Sequence, residues 1–442
     1  MTITETPVNT KRRSQWSTIP SSQTARNTVN PIRAVVEKMQ RARIEWEESQ
    51  KSHSFSVRGK PQAPISLSIG DPTVFGNFKT HPAVNDAVLN QLNSYQANGY
   101  APSYGIPTAR AAVARKFHTP DAPLTPDDVI LTSACSGALE MAIGSLADPG
   151  QNILVPLPGF PLYKTLAQSR GVDIREYRLL PERNWEVDLA DFESLIDDNT
   201  AAVIINNPSN PCGSVFSRTH LLAILAVCER NHVPIIADEI YADIVFDSSA
   251  TEGSIENVFY PISSLTQTVP ILTVGGLAKQ WLVPGWRMGW ILIHDRQNLF
   301  SQVRKGLFAL STLILGPNTL IQAAIPDIFA NVPSSFLQDT ITTLSEHARV
   351  CQQRLAQIPG LKVVMPQGAM YMMVGLQMDE FRDIDNDVDF ASRLNLEESV
   401  EVLPGQCFNY PNYFRIVLTP PVDKLEEACH RLERFCHHHH IH

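Results

Sequence analysis

The sequence predicts an α/β protein with a large domain on a mostly parallel central sheet and a smaller α+β domain. Six short apolar runs rich in β-branched residues lie between residues 105 and 295, and helical stretches bounded by Gly or Pro separate them. Strands that alternate with helices in this way are typical of a parallel sheet with crossover helices. A chain of 442 residues also exceeds the usual size of a single core, so two domains are expected.

The six runs predict strands that are buried on both faces. They are VILTS (129–133), NILVPL (152–157), AAVIIN (201–206), VPIIAD (233–238), PILTVG (270–275) and MGWILI (288–293). Earlier in the chain, NPIRAVVEKMQRARIEWEES predicts a helix and ISLSIG predicts a short strand ending at Gly70. Beyond residue 295 a helical region precedes four predicted strands (LKVVMP, AMYMMVGL, VEVLPG and FRIVLT) and a closing amphipathic helix, VDKLEEACHRLERF.

These patterns predict the domain organisation. Residues 1–29 are polar and rich in Ser, Thr and Asn, which predicts a flexible arm. Residues 30–70 and 326–436 are assigned to the smaller domain, and residues 71–325 to the large domain. Residues 437–442 form a His-rich tail, which could bind a metal, although a cloning remnant or a solvated tail explains such a run more simply. No metal site is therefore predicted.

Composition and charge exclude several classes of partner. The net charge of −9 gives no support to a nucleic-acid partner. The sequence has no apolar stretch of ~18 residues that could span a membrane, and the N-terminus lacks the apolar core of a secretory signal. Seven dispersed cysteines predict reduced thiols in the cytoplasm. The basic residues Lys11, Arg12 and Arg13 keep a mitochondrial location as the alternative.

The first motif with chemical content is VILTSACSGALEMAIG, in which a strand ends and a helix begins within a run of small residues. Ala134, Cys135 and Ser136 stand at that helix start, where free N–H groups and the positive end of the helix dipole attract anions. A phosphate site is one interpretation of this motif. A simple capped turn between strand and helix is the other.

Two motifs follow later strands. In INNPSNPCG, two Asn-Pro steps predict an extended turn that presents the Asn210 amide either to a ligand or within a structural turn. In PIIADEIYADIVF, Asp238 ends an apolar strand, where an unpaired carboxylate is costly. It therefore needs a cationic partner such as a protonated ring nitrogen, unless it only caps a helix. The neighbouring Glu239 and Tyr241 favour the first interpretation.

The last two motifs supply positive charge. In TVGGLAKQWLVPGWRMGW, Lys279 follows a strand end and two glycines, and a buried lysine can lose its proton and attack an aldehyde. Arg287 in the same motif suits bidentate binding of a phosphate. Arg415 in YFRIVLT is flanked by apolar residues and needs a carboxylate, which is either structural or part of a substrate.

Taken in order, these residues resemble the signature of the class I/II aminotransferases, which are fold type I enzymes dependent on pyridoxal 5'-phosphate. The residues are Asn210, Asp238, Tyr241, Lys279, Arg287 and Arg415. The resemblance spans roughly residues 30–436 and also rests on NPIR, SIGDPT, NGYAPSYG, NILVPLPGFPLYKTL, NNPSNPCGSVFS, ADEIYADIVF, GGLAKQWLVPGWRMGWILIHD and GAMYMMV. It implies the fold type I architecture and pyridoxal phosphate as the cofactor.

The resemblance also implies catalytic and ring-binding roles. Lys279 is expected to bond covalently to the cofactor aldehyde and then to move the substrate proton as general base and acid. Asp238 is expected to keep the ring nitrogen protonated, and Tyr163 is expected to lie beside this aspartate. Tyr241 and Asn210 are expected to bond the ring oxygen. Phe160 is expected to stack on the ring.

The remaining expected roles concern the phosphate and the substrate. Arg287, Ser136 and the backbone of Ala134 and Cys135 are expected to hold the phosphate. Tyr100 is expected to reach a phosphate across a subunit interface, so the active unit is expected to be a homodimer. The expected substrate residues are Arg415, which grips the α-carboxylate, together with Gly70, Asn210 and Phe160.

Two departures from the broader family bear on specificity. Gly276 stands three residues before the lysine, where many members carry a phosphate-binding serine. No clear match exists for the second arginine with which dicarboxylate-specific members bind a distal carboxylate, which favours large apolar side chains. Ile32, Arg33 and the SIGDPT loop either line that pocket or simply pack in the smaller domain.

The resemblance implies transamination of L-tyrosine, and of other aromatic amino acids, with a 2-oxo acid such as 2-oxoglutarate, giving 4-hydroxyphenylpyruvate and glutamate. An aminotransferase that prefers another donor and a fold type I lyase are alternatives, because they share the same lysine, aspartate and arginines. A non-catalytic cofactor-binding regulator is an alternative of a different class. It is disfavoured because the catalytic set is complete and no DNA-binding segment precedes the domain.

Overall fold

The computed structural model describes residues 18–52, 63–246 and 257–441. Most of the predicted N-terminal arm, residues 1–17, and His442 lie outside this range. The strands of the described part are β1 (Ile65–Ser66), β2 (Val129–Ser133), β3 (Asn152–Leu157), β4 (Asp173–Leu180), β5 (Glu186–Val187), β6 (Thr200–Asn206), β7 (Ile235–Asp238), β8 (Ile271–Gly276), β9 (Met288–His294), β10 (Leu361–Val363), β11 (Tyr371–Leu376), β12 (Val400–Glu401), β13 (Leu403–Pro404) and β14 (Tyr413–Val417).

The α-helices are distributed along the whole described chain. They are α1 (Gln23–Asn27), α2 (Pro31–Ser52), α3 (Pro82–Ser94), α4 (Pro107–Phe117), α5 (Ala134–Leu146), α6 (Leu162–Ser169), α7 (Leu189–Ser194), α8 (Arg218–Arg230), α9 (Ser301–Ser311), α10 (Thr319–Asn331), α11 (Ser334–Leu355), α12 (Asp387–Glu398) and α13 (Val422–His439). Among the helices described, none is both long and apolar enough to cross a membrane.

An eight-stranded sheet has the strand order β2-β9-β8-β7-β6-β3-β4-β5. β8, β7, β6, β3 and β4 run parallel, whereas β9 is antiparallel to both of its neighbours and β5 is antiparallel to β4. All six predicted strands are present, and the prediction of a mostly parallel sheet is confirmed.

Helices cover both faces of this sheet because successive residues of its central strands point to opposite faces. Ile204 and Ile236 pack with the apolar residues of α5. Their chain neighbours Val203 and Ile235 pack with those of α8. The apolar faces of α3, α4 and α10 form a further cluster against the β2 and β9 edge.

A second region contains a four-stranded antiparallel sheet, β10-β11-β14-β13, and the parallel pair β1-β12. The four strands predicted near the end of the chain all contribute to these sheets. Phe390 of α12 stacks on Phe414 of β14, with ring centroids 5.3 Å apart, and meets Phe435 of α13 edge-on at 5.1 Å. Three aromatic rings therefore join two helices to the small sheet.

The structure departs from the sequence-based expectations in three strands. MGWILI runs antiparallel because the connection from β8 to β9 is too short to contain a crossover helix. The strand β4 was not predicted, since its sequence DIREYRLL mixes charged with apolar residues. In ISLSIG only Ile65–Ser66 is strand, because the carbonyls of Ser68 and Gly70 accept hydrogen bonds from side chains instead of from a neighbouring strand.

Both ends of the described chain are packed against other elements. In the predicted arm, α1 contacts α6, and the Val29 carbonyl accepts a hydrogen bond of 2.6 Å from the Thr165 hydroxyl. At the other end, the histidine run continues α13 as far as His439, which is 1% exposed. A solvated tail was the wrong interpretation for His439.

A cavity beside α4, β8 and β9 is lined by several titratable groups. They include Glu239, Asp243, Lys116 and His294. Burial raises the pKa of Glu239 to about 8; the Ile262 N–H, which donates to its carboxylate at 3.0 Å, opposes this rise, while the nearby Asp243 and Asp238 add to it. Burial also lowers the pKa of His294 to about 4.

We predict that Glu239→Gln makes stability less dependent on pH. Because the pKa of Glu239 is about 8 in the folded chain and ordinarily 4.5, the folded state holds a proton that the unfolded state releases between these values. Stability therefore falls as the pH rises through this window. Urea unfolding at about pH 5.5 and about pH 8 measures the effect. Glu182→Gln, at an exposed glutamate, is the control. The prediction is contradicted if Glu239→Gln loses as much stability between the two pH values as the wild type and Glu182→Gln do.

Candidate active site

The carboxyl ends of four strands bring predicted residues to one edge of the central sheet. Asp238 is the last residue of β7, and Lys279 lies three residues beyond β8. Asn210 follows the end of β6, and Ala134 begins α5 directly after β2. Because these strands run in the same direction, their ends meet where ligands bind in open α/β sheets.

Asp238 is a buried carboxylate whose hydrogen-bond partners are neutral. The residue is 2% exposed and accepts hydrogen bonds from the Tyr163 hydroxyl (2.6 Å), the Ile240 N–H (3.3 Å) and the Cys135 thiol (3.7 Å). Burial raises the pKa of Asp238 above its ordinary value, and these three donors oppose the rise. A cation placed beside this carboxylate stabilises its charged form, so the position suits a protonated ring nitrogen.

The Lys279 amine reaches across the cleft to the loop after β1. Its Nζ donates a hydrogen bond of 2.7 Å to the carbonyl of Gly70. The same atom lies 5.6 Å from the centroid of the Tyr241 ring. Lys279, Gly70 and Tyr241, which are widely separated in the sequence, are therefore neighbours in the structure.

Sequence reasoning missed Tyr371, whose hydroxyl lies among these groups. Tyr371 is 2% exposed and forms a hydrogen bond of 2.6 Å with the Tyr241 hydroxyl. A lone hydroxyl in the otherwise apolar strand YMMVGL is the signal in the sequence that could have identified it. The pairing of β11 with β14 then places Tyr371 near Arg415, because Arg415 pairs with Met373 on the same two strands.

The pKa of Tyr371 reports the charges around it. Burial opposes its ionisation, but the positive charges of Lys279 and Arg415 outweigh that effect. Together with the hydrogen bond from Tyr241, they lower the pKa of Tyr371 below its ordinary value, while Asp238 acts in the opposite sense. The charges of a lysine, an arginine and an aspartate therefore all act on one phenol.

Arg415 is buried with neutral acceptors only in the described part of the chain. It is 3% exposed, and its Nη1 donates to the Asn210 amide oxygen at 3.0 Å, while Nη2 donates to the Ser68 carbonyl. Its Nε has no hydrogen-bond partner among the residues described. The guanidinium carbon lies 4.4 Å from the Tyr371 ring centroid and 5.2 Å from that of Phe408. A buried guanidinium with a spare donor suits a carboxylate ligand.

A set of anion-binding groups gathers at the start of α5. Arg287 donates to the Ser136 hydroxyl at 2.8 Å, and the Ala134 N–H donates to the Arg287 carbonyl at 3.1 Å. Ala134 and Arg287 have φ angles of 64° and 54°, a left-handed conformation that costs about 1–3 kcal/mol per residue. These contacts hold a guanidinium and a hydroxyl beside the free N–H groups of the first helical turn, to which Cys135 belongs.

Two glycines allow close approach at this edge. A Cβ at Gly289 would lie 2.4 Å from the carbonyl carbon of Ala134, so β9 can pass this close to the helix start only with glycine there. At Gly276, a Cβ would lie 2.6 Å from the Met288 carbonyl oxygen on the paired strand β9. Packing against β9 therefore accounts for the absence of a serine at position 276.

The other predicted residues differ in whether they contact the active-site residues described above. Phe160 packs edge-on against Tyr163, the partner of Asp238, with ring centroids 5.7 Å apart. Tyr100 is 94% exposed and is not brought to the other site residues within one chain. Ile32 packs against the cluster that contains Phe408, whereas Arg33 is exposed.

Comparisons with known proteins identify the family. The family model described as aminotransferase class I and II matches residues 62–432. A tyrosine aminotransferase of Mus musculus is 50% identical over 430 residues, which cover 97% of this chain and 89% of the relative. An S-alkyl-thiohydroximate lyase of Arabidopsis thaliana is 35% identical over 380 residues, covering 85% of this chain and 80% of the relative.

A solved structure has the same architecture. The crystal structure of a tyrosine aminotransferase from Leishmania infantum matches with a TM-score of 0.86 and 33% identity, covering 97% of this chain and 100% of that one. Sequence and fold agree over almost the whole chain. The protein therefore belongs to the class I and II aminotransferase family, whose enzymes depend on pyridoxal 5'-phosphate.

Proposed function

We propose that the protein transaminates L-tyrosine, and other aromatic amino acids, with a 2-oxo acid such as 2-oxoglutarate. The products are 4-hydroxyphenylpyruvate and glutamate. The observation that carries the proposal is the position of Tyr371 between Tyr241, which its hydroxyl meets at 2.6 Å, and Arg415, whose guanidinium carbon lies 4.4 Å from the centroid of its ring. The Lys279 amine lies 5.6 Å from the centroid of the Tyr241 ring in the same cleft. The 50% identity to a tyrosine aminotransferase over nearly the full chain supports the choice of tyrosine as donor.

The residues present fit pyridoxal phosphate. Asp238 offers a buried negative charge to the ring nitrogen, and its neutral hydrogen-bond partners leave that charge without a cation. Arg287, Ser136 and the N–H of Cys135 offer positive potential to the phosphate, whereas the predicted Ala134 N–H already donates to the Arg287 carbonyl. When bound, this cofactor supplies an electron sink for the carbon atom that loses a proton.

We assign the proton transfer to Lys279. Its half-buried amine lies against the Gly70 carbonyl and near the Tyr241 ring. In this position it can bond to the cofactor aldehyde and, once free, carry the substrate proton as general base and then acid. Tyr241 is the proposed partner of the ring oxygen, and the Tyr371 hydroxyl holds it in place at 2.6 Å.

We assign the substrate α-carboxylate to Arg415. Its hydrogen bond to the Asn210 amide oxygen fixes both side chains and leaves the Asn210 amide nitrogen as the donor for the ring oxygen. The aromatic faces of Tyr371 and Phe408 flank the guanidinium. Phe160 is the proposed stacking partner of the ring, and these apolar surfaces suit an aromatic donor.

We propose that the active unit is a homodimer to which Tyr100 contributes. Exposed apolar side chains gather where α3, the loop after it and the connection from α9 to α10 meet: Tyr95, Tyr100, Leu313, Ile314 and Leu315. Each is at least 61% exposed, and an apolar surface of this kind is typical of a protein interface. Tyr100 is exposed enough to reach a phosphate in a partner subunit.

We also propose a two-domain organisation, with residues 71–331 in the large domain and residues 30–70 and 332–436 in the smaller one. Separate sheets support it, while one apolar cluster, which contains Tyr241 and Tyr371, joins the two parts. Because α10 crosses residue 326 and packs on α3 and α4, we place the second boundary after Asn331. The proposed compartment is the cytoplasm, since all seven cysteines are free and buried.

We predict that the wild type forms glutamate from 2-oxoglutarate when L-tyrosine is the donor, and that Lys279→Ala lowers this rate roughly 10²- to 10⁴-fold or more. Lys305→Ala, at an exposed lysine of α9, is the matched control and keeps the wild-type rate. A coupled assay that detects glutamate measures this rate for a panel of amino donors. Release of ammonia or of a sulfur-containing product in place of glutamate supports the lyase alternative. Faster turnover of alanine or aspartate than of tyrosine contradicts the proposed specificity.

We predict that Tyr100→Phe weakens cofactor binding about 10- to 100-fold, because it removes a hydrogen bond to a charged group worth about 1.5–3 kcal/mol. Equilibrium dialysis measures the cofactor dissociation constant, and sedimentation measures the mass of the particle. Tyr95→Phe, at a neighbouring exposed tyrosine, leaves the constant unchanged. A monomeric active enzyme, or equal affinities in all three proteins, overturns the dimer proposal.

A further inference from the structure

The end of the last helix brings together three side chains of the types that can bind a metal ion. Glu397 of α12 and His438 and His439 of α13 each offer one ligand atom, and these three atoms lie within 4.8 Å of one another. We call these three residues the terminal cluster. None of them belongs to the proposed active site.

The backbone around the terminal cluster is held in place by other contacts. α13 extends to His439, and His440 forms a β-bridge with Phe381. The N–H of Arg382 donates to the His439 carbonyl at 3.0 Å, and the N–H of Ile441 donates to the Glu380 carbonyl at 2.8 Å. These contacts hold the backbone of the histidines against residues 380–382, which precede α12.

His439 has the geometry of an oriented metal ligand. It is 1% exposed, its Nδ1 lies 2.8 Å from an Asp383 carboxylate oxygen, and its Nε2 lies 3.1 Å from Glu397 Oε2. A carboxylate on one imidazole nitrogen fixes the proton there and turns the other nitrogen towards the metal, as in many zinc sites. Asp383 is therefore the orienting group, and Nε2 is the ligand atom.

The distances suit a small tetrahedral centre. Zinc binds nitrogen and oxygen at about 2.0–2.2 Å, which separates neighbouring ligand atoms by roughly 3.3–3.5 Å. The 3.1 Å from His439 Nε2 to Glu397 Oε2 is close to that spacing. Glu397 and His438 are exposed, so small rotations of their side chains complete the approach.

The ligand types, rather than net charge, favour a transition metal. Asp383 and Glu397 carry two negative charges, Arg393 contacts both of them at 3.3 Å and 3.2 Å, and the Arg382 guanidinium donates to the His438 carbonyl. These charges nearly balance when the histidines are neutral. Two imidazoles and one carboxylate match zinc and its neighbours in the first transition series, whereas Mg²⁺ and Ca²⁺ prefer oxygen ligands alone.

We propose that Glu397, His438 and His439 form a binding site for Zn²⁺ or a similar divalent transition metal, oriented by Asp383. Such an ion links the last turn of α13 to the end of α12. Since the native arrangement brings the three ligands together, binding stabilises the folded chain.

The test is calorimetric titration of the holoenzyme with ZnCl₂. The wild type is expected to bind one Zn²⁺ at the terminal cluster and to unfold at a higher temperature when it is bound. Glu397→Gln is expected to weaken binding at least tenfold, and Asp383→Asn about 10- to 100-fold. Transaminase activity and cofactor absorbance of these variants are expected to stay unchanged, which shows that they fold.

The matched control separates this site from simple binding to a histidine run. His437→Ala removes an exposed histidine of the same run that is not part of the terminal cluster, and it is expected to bind Zn²⁺ as the wild type does. Wild-type affinity in both Glu397→Gln and Asp383→Asn overturns the proposal. Equal weakening by His437→Ala and Glu397→Gln also overturns it, and so does equal affinity for Mg²⁺ and Zn²⁺.

Discussion

The active-site region depends on two opposite charges that are buried without charged partners among the described residues. Asp238 accepts hydrogen bonds from a phenol, a thiol and a backbone N–H, and Arg415 donates to an amide oxygen and a carbonyl. Neutral partners satisfy hydrogen bonds but do not compensate buried charge, which shifts both pKa values towards the neutral forms. In the proposed function, a cationic ring and an anionic substrate supply the compensating charges.

The central sheet and the small antiparallel sheet together bring these charged residues to one region. Parallel strands end together at one edge, which collects Asp238, Lys279 and the start of α5, while the small antiparallel sheet brings Arg415 and Tyr371 from the far end of the chain. Tyr371 joins the two parts, because it bonds Tyr241 from one side and packs under the Arg415 guanidinium on the other. Its phenol thereby links the proposed site of proton transfer to the proposed site of carboxylate binding.

The sequence predicts the features that depend on local pattern. Apolar runs predict the six strands of the large sheet, and a charged residue at the end of such a run marks Asp238 and Lys279. Features that depend on pairing between distant segments were not predictable. The direction of β9, the position of Tyr371 and the burial of His439 each follow from contacts across the fold. For Gly276, the sequence shows that glycine replaces the serine of many family members. The reason, the close approach of the Met288 carbonyl on β9, is seen only in the structure.

The most direct test of the account compares Arg415→Ala with the wild type on L-tyrosine and on tyramine, the same amine without its carboxylate. If the buried guanidinium exists to bind the carboxylate, kcat/KM for tyrosine falls about 100-fold or more, as expected for charge-assisted hydrogen bonds worth roughly 1.5–3 kcal/mol each. The much lower kcat/KM for tyramine then stays nearly unchanged, and unaltered cofactor absorbance shows that the variant folds. An equal fold-loss for the two amines, or no loss for tyrosine, contradicts the account.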